Sequence, residues 1–399
     1  MNTQGTRLHI GLWHKEFWLM VLANLLLSMA VTMLIPTLPI WLKEAAGLDN
    51  RQVGLVMGSF ALGLFLPGAF CSYLVQQYRR NVVFMICVLV LAASMTLPFF
   101  KLTALHLFPI ILVWRGLQGA AFGLAQMVLS STLIIDTCES HQRTEANHSA
   151  TWFGRFALSL GPMAGLLLMQ LSSLIVPSSI PASPVSTLNV FFLALVCCVA
   201  AILLVSFIRF PFRIPEDNLH VLSLDRFFLT SGWTLFLNLL LVTTAIGMLM
   251  SLPVPVHAYG MVMLGFLLAL LAQRFVFCDA ELKSEVITGL LLIGASLIIL
   301  LTSRYSPLTT PLLGLGVGLV GGRFLLFFIK LSRHCQRGTS QSTFMLGWES
   351  GLAIGVGVGY YFFSGRAMEM LMVAFLLVVA ALLMYVFWTH RWFLGHKNR

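Results

Sequence analysis

Charge is what this 399-residue chain has least of: Asp, Glu, Lys and Arg together make 10% of it, and only 14 residues are acidic. An average soluble domain carries about 25% charged residues, so a water-soluble globule is excluded. The sequence offers no pair of carboxylates, no HExxH and no Ser/His/Asp set at a common membrane depth. The seven cysteines form no CxxC or Cys/His group with metal spacing, which argues against a metal centre. A GxxxxGK[ST] phosphate loop is also missing, which argues against direct use of ATP. The chain is therefore expected to be no enzyme and to need no cofactor.

What remains is apolar. Hydrophobic residues make 59% of the chain, and a spanning helix needs about 20 mostly apolar residues. Charge-free runs cover 17–42, 52–78, 81–100 and 116–135; longer ones at 156–208 and 227–273 are split by VPSSIPASPVS and SLPVPVH. Further candidates are 286–303, 307–329, 343–363 and 370–390. These predict an all-α integral membrane protein of twelve transmembrane helices. The first run is too long for a leader and no small-residue cleavage site follows it, so it is read as helix 1.

With twelve crossings, both termini share a face with the even-numbered loops. Sixteen Lys and Arg fall on that face, against Lys43, Arg51, Lys101, Arg304 and Arg366 on the other. The positive-inside rule then puts both termini in the cytoplasm of a multi-pass protein of the inner (plasma) membrane. The net charge of +10 is spread through short loops, a pattern for a lipid surface and not for nucleic acid. His141, His148 and His334 are expected to be solvated in those loops.

The stretch from Arg115 to Gly165 organises the rest. Arg115 lies about eight residues into helix 4, some 12 Å, and Gln118 follows one turn on. An arginine inside an apolar span is a functional-site hypothesis by default. Arg155 is expected about a turn and a half into helix 5, followed by Gly161, Pro162 and Gly165; the proline removes a backbone donor and should kink the helix. In helix 2, Gly54, Gly58, Gly63 and Gly68 allow close helix contact. Helix 10 holds Arg323 and Lys330, and helix 11 holds Glu349, read as the only carboxylate well inside any helix, ahead of Gly355.

A shift of 194 residues lays Gln142-Arg143 on Gln336-Arg337, Arg155 on Glu349, Gly161 on Gly355 and Asp136 on Lys330. The chain thus reads as an N-terminal half (1–208), a cytoplasmic linker (209–226) and a C-terminal half with a short basic tail (227–399), each half a six-helix bundle. Parallel repeats of this kind place a binding site near the midplane between the halves.

These features together resemble the major facilitator superfamily, and within it the twelve-helix drug:proton antiporter branch. The resemblance covers essentially the whole chain in helix count, charge sidedness and central loop. Arg115-x-x-Gln118-Gly119 resembles the family's helix 4 motif, whose arginine is implicated in proton coupling. Gly154 through Gly161-Pro162-x-x-Gly165 resembles the helix 5 antiporter motif. A member of this family is expected to be a monomer in the bilayer that carries a small molecule by alternating access.

The loop between helices 2 and 3 departs from the family's Gly-x-x-x-Asp-Arg-x-Gly-Arg-Arg pattern, keeping Arg79-Arg80 and placing Val75 where the aspartate would stand. Helix 1 also lacks the carboxylate of many proton-coupled members. A substitute cytoplasmic latch is sought among Arg79, Arg80, Asp136, Arg143, Lys330 and Arg337. The leading expectation is proton-coupled efflux of an apolar or amphipathic molecule. In it Arg115, Gln118, Arg155, Arg323 and Glu349 serve transport and coupling, and Gly161, Pro162, Gly165 and Gly355 serve gating. A carboxyl withdrawn from water can take up and release a proton near neutral pH, which suits Glu349. The competing role for Glu349 is permanent neutralisation of Arg323 or Arg155. Uptake or facilitated exchange of a nutrient or lipid-like solute, or sensing without transport, are the alternatives. The sequence shows no dense set of polar cavity residues, which disfavours sugars.

Overall fold

In a bilayer every backbone N–H and C=O must bond within its own segment or sheet, and this chain meets that demand with helices. The computed structural model describes residues 11–100, 107–139, 141–175, 182–210, 221–224, 226–278, 280–302, 307–333 and 336–397, and no strand occurs among them. Arg7, Lys101, Arg213, Arg304, Arg399, His334, Cys335 and most of the linker lie outside the described residues.

Twelve long helices run through the described residues. They are α1 (Lys15–Glu44), α2 (Asn50–Phe65 with Gly68–Gln77), α3 (Arg80–Phe99), α4 (Phe108–Thr137), α5 (Arg143–Ile175) and α6 (Ala182–Ser206). The second set is α7 (Trp233–Met250), α8 (Val256–Phe275), α9 (Leu282–Thr302), α10 (Thr309–Leu331), α11 (Arg337–Phe363) and α12 (Ala367–His396). Ten of these are long and apolar enough to cross a membrane alone, and α2 becomes the eleventh if its two bent pieces are one span. The twelfth, α11, is more polar than these and is packed inside the protein. Its Thr339, Ser340, Gln341, Ser342, Thr343 and Ser350 are all buried.

Two six-helix bundles follow from the packing. Within the first, α1 packs on α5 and α6, α2 on α4, and α3 on α4 and α6; adding six to each index gives the contacts of the second bundle. The bundles meet chiefly along α2 with α11 and α5 with α8, which the same operation exchanges. Here the terminal face means the side of the bundles holding Lys15 and His396, and the far face the other.

The helix breaks are not where the sequence suggests. Helix α5 runs unbroken through Pro162, whereas α2 bends by 48° at Leu66-Pro67. Beyond the bend, Phe227 fills the space over Gly68, where a Cβ would come within 2.3 Å of its ring. The Ser223 amide donates to Ala69 O at 3.0 Å. The end of the linker thus holds the second piece of α2. Helix α4 widens into a π segment at Leu129–Leu133, where the hydroxyls of Ser130 and Thr132 bond the carbonyls four residues back at 2.7 and 2.5 Å. Such back-bonding competes with the helical ladder.

Candidate functional site

Helices α5 and α11 begin at equivalent positions, Arg143 and Arg337. Arg155 and Glu349 therefore each lie twelve residues in, about 18 Å along the axis. The expectation of a turn and a half for Arg155 was too shallow, because charge-free runs omit the polar first turns of α5.

Arg155 is 2% exposed. Its guanidinium carbon sits 4.7 Å from the Trp152 ring centroid, 5.6 Å from that of Trp348 and 5.9 Å from that of Phe344, within cation–π range. Its Nε, Nη1 and Nη2 have no hydrogen-bond partner among the described residues. Gly321 of α10 makes room for it, since a Cβ there would lie 2.8 Å from Nε. Glu349 lines the same pocket, and among the described residues it makes no hydrogen bond or ion pair.

Three amides complete this pocket. Asn24 Nδ2 donates to Ala150 O at 2.8 Å, Gln126 Nε2 to Ser28 Oγ at 2.8 Å, and Gln341 Nε2 to Thr151 Oγ1 at 2.9 Å. Each amide spends one N–H on the protein, and among the described residues Asn24 Oδ1, Gln126 Oε1 and Gln341 Oε1 have no donor. The space amounts to about 10 Å³, enough for one water. The expectation that no dense polar set lines the cavity is overturned: α1, α4, α5 and α11 bring these residues together from across the chain.

Arg115 is buried in α4, donates from Nη1 to Gln118 Oε1 at 2.6 Å and lies 4.6 Å over the Phe60 ring. Gln118 in turn points Nε2 at Met95 Sδ, 3.6 Å away. Arg115 and Glu349 line a second small pocket with Thr32 and Met57. Glu349 thus stands between two arginines of the other half.

Arg323 does not join this group. It pairs with Glu285 of α9, whose other carboxyl oxygen accepts from Gln273 Nε2 of α8 at 2.6 Å. Glu285 is fully buried in the first turn of α9, so Glu349 is not the only carboxylate withdrawn from water. Helix α9 starts at Leu282, and the charged run Glu281-Leu-Lys283-Ser-Glu285 disguises its first turn as loop. His148, expected in a solvated loop, sits in α5 with its ring 6.4 Å from that of Trp152.

On the terminal face, Arg80 pairs with Asp136, joining α3 to α4 within one half. Arg79 caps the start of α3, Arg143 and Arg337 open α5 and α11, and Lys330 lies in the last turn of α10. The halves meet here through Gln341 and Thr151, and where a Cβ on Gly338 would lie 2.8 Å from Ser131 O. Gly161 and Gly165 back onto α1: a Cβ on the first would reach 2.1 Å from Thr32 Oγ1, and on the second 3.1 Å from Met33 O. Gly355 backs onto α7, with Thr244 O at 2.1 Å.

Toward the far face, Gly54 and Gly58 of α2 meet Gly357 of α11 backbone to backbone; a Cβ on Gly54 would lie 2.7 Å from Gly357 O. Beside this contact a cavity of about 500 Å³ opens between the halves, walled by Pro36, Pro39 and Lys43 of α1 and by Tyr360 and Phe363 of α11. Lys43 Nζ lies 5.1 Å over the Tyr360 ring. His257 is exposed at the start of α8.

A family model described as Major Facilitator Superfamily matches residues 20–334. Quinolone resistance protein NorA of Staphylococcus aureus is 23% identical over 159 residues, 40% of this chain and 39% of that protein. The chain thus aligns with about two fifths of the length of the curated relatives it matches. Among solved structures, the inward-open xylose transporter XylE from E. coli superposes with a TM-score of 0.67 at 14% identity, over 93% of this chain and 95% of that one. A bacterial homolog of the human lysosomal transporter Spinster, inward-facing and unoccupied, gives 0.66 at 17% identity, over 96% and 98%. These likenesses concern the fold.

Proposed function

The chain belongs to the Major Facilitator Superfamily and is a membrane transporter, and from that premise we propose a secondary carrier that exports a small apolar or amphipathic molecule in exchange for protons. The observation that carries this reading is Glu349, which makes no hydrogen bond or ion pair among the described residues and is shared between the pockets of Arg155 and Arg115. The charged groups that face it are Arg155 from α5 and Arg115 from α4. Helices α1 and α2 contribute Asn24, Thr32, Met57 and Phe60, which do not titrate, and Arg323 of α10 is engaged by Glu285. Ionised Glu349 draws the two halves together over an arginine. Proton uptake cancels that attraction and releases them.

In this scheme both termini are cytoplasmic in the inner membrane, residues 1–208 and 227–399 move as the two halves, and the 500 Å³ cavity opens outward. Arg115 and Gln118 tune Glu349 from its second side. Gly161, Pro162, Gly165 and Gly355 let α1 slide on α5 and α7 on α11. Arg79, Arg80, Asp136, Arg143, Lys330 and Arg337 brace the cytoplasmic face, and the carrier works as a monomer. Export is supported by the likeness to a quinolone resistance protein. Uptake or exchange of a polar solute is the second reading, favoured by the three amide oxygens in the pocket.

Flux in proteoliposomes under an imposed proton gradient tests the proposal, using a panel of amphiphiles and comparing wild type with Glu349→Gln. Gradient-driven flux in the wild type and gradient-independent flux in the variant are expected. A variant with unchanged pH dependence would remove Glu349 from coupling.

A further inference from the structure

A pocket of about 110 Å³ lies among α7, α8, α9 and α10 of the second half and is closed from the first half by Leu158 of α5. No Asp, Glu, Lys, Arg or His lines it; its polar members are Tyr259, Thr309 and Thr310. Tyr259 is 5% exposed and Thr309 2%, and among the described residues neither hydroxyl has a hydrogen-bond partner. Leaving such groups buried and unpaired is costly. This pocket shares no lining residue with those of Arg155 and Arg115. It does share Met250, Leu252 and Val254 with the 500 Å³ far-face cavity. The seam between the halves runs beside it, where Ser159 Oγ of α5 donates to Tyr259 O of α8.

We propose that this pocket is a cargo site, and that its cargo is an uncharged molecule of about one aromatic ring whose single hydroxyl or carbonyl oxygen pairs with Tyr259 or Thr309. This deepens the transport reading and rests on it, since it names the class of molecule carried and where it rests. Size follows from volume, because an apolar cavity of roughly 150 Å³ is enough to bind benzene. Charge is excluded by the lining: an ion would leave water and find no counter-ion among these side chains. One water takes about 30 Å³ and would leave most of the pocket empty. A hydroxyl both donates and accepts, so an alcohol, a phenol or a ketone on the cargo would satisfy it. Met250, an unbranched and adaptable side chain, stands in the wall shared with the far-face cavity. A change of its rotamer gives the cargo a short way out, and Leu158 withdraws with the first half when the halves part.

The test uses three probes with one body: 4-fluorobenzyl alcohol, 4-fluorotoluene and 4-fluorobenzylammonium, which place a hydroxyl, a methyl or a cation on the same ring. Binding is followed by fluorine NMR on the full-length protein in lipid nanodiscs, with empty nanodiscs correcting for partition into lipid. The alcohol is expected to bind roughly 2- to 10-fold tighter than the toluene, the range of one net hydrogen bond. The ammonium should bind weaker than the alcohol by a factor on the order of 100 or more. Tyr259→Phe combined with Thr309→Val should bring the alcohol to the affinity of the toluene and leave the toluene unchanged. Ala258→Leu fills the pocket and should weaken both at least about tenfold, the equivalent of a methylene or two of lost space. The wild type alone gives the order of the three probes, so the proposal can be judged even where a variant does not fold. Equal or tighter binding of the ammonium, equal binding of alcohol and toluene by the wild type, or no saturable binding beyond lipid partition overturns it. Full affinity for the alcohol in folded Ala258→Leu overturns it too. The transport reading is judged separately. Gradient-driven flux of amphiphiles that Ala258→Leu leaves unchanged retains the carrier and discards this pocket as its cargo site; saturable binding in the pocket without flux of any probe retains the pocket and discards the carrier.

Discussion

Arg155 and Glu349 stand 194 residues apart, at matching places in the two halves, and line one pocket without bonding each other. A repeat that carries opposite charges at equivalent positions gives the interface between its halves a polarity that neither half has alone.

The permanent pair lies elsewhere, and its removal should be felt as instability. Glu285→Gln leaves Arg323 buried without its counter-ion, at a cost of about 3–5 kcal/mol. Its thermal midpoint in detergent should fall well below that of the wild type. Glu285→Leu combined with Arg323→Met should recover most of the loss, since a well-packed apolar pair can replace a buried ion pair. A double variant as unstable as the single one would show that Arg323 has a further essential partner.

Removing the unpaired cation should have the opposite sign. Arg155→Gln discards a buried charge that lacks hydrogen bonds and forfeits cation–π contacts of about 0.5–2 kcal/mol. The thermal midpoint of the protein is expected to match or exceed that of the wild type even as gradient-driven flux falls, the usual trade between stability and function. A marked drop would mean the arginine is structural.

The two close-approach glycines should differ. In Gly355→Ala the new methyl meets Thr244 O and Gly247 Cα, both backbone, whereas in Gly161→Ala it first meets the Thr32 hydroxyl. Overpacking typically costs about 1–3 kcal/mol, and the larger share should fall on Gly355→Ala. Thr32→Ala added to Gly161→Ala should restore part of the loss, although it gives up the 2.8 Å bond to Ala157 O. Thermal melts of the three variants decide the order.

On the far face, Gly357→Val should hold α2 and α11 apart, because a Cβ at residue 357 already falls 2.9 Å from Gly54 O. Spin labels on the far-face ends of α2 and α11 should report a longer distance, and flux should drop at least about tenfold, the kinetic equivalent of 1.4 kcal/mol. Unchanged distance with normal flux would mean that this contact does not move in the cycle.

The sequence made the fold legible because apolar length, charge sidedness and the 194-residue shift all report on helix number and pairing. It even set Arg155 against Glu349. Its errors share a cause. Reading helices as charge-free runs clips them, so the polar first turns of α5 and α11 and the whole of Glu285 passed for loop. The run 343–363 marked α11 as a span but left out its polar start, Thr339 to Ser342, which is buried in the protein. Asn24, Gln126 and Gln341 each read as an isolated amide on its own helix; only packing brings them to one pocket. Helix α5 continues through Pro162, while Pro67 marks the bend in α2.

The glycine contact between α2 and α11 has a thermodynamic side. Where peptide groups meet peptide groups, no side-chain rotamers are frozen when the halves close and none are released when they part. Closing this face therefore carries little entropy of its own. The closed and open forms can lie near each other in free energy, as a machine must arrange if small inputs of charge are to tip its balance on every cycle.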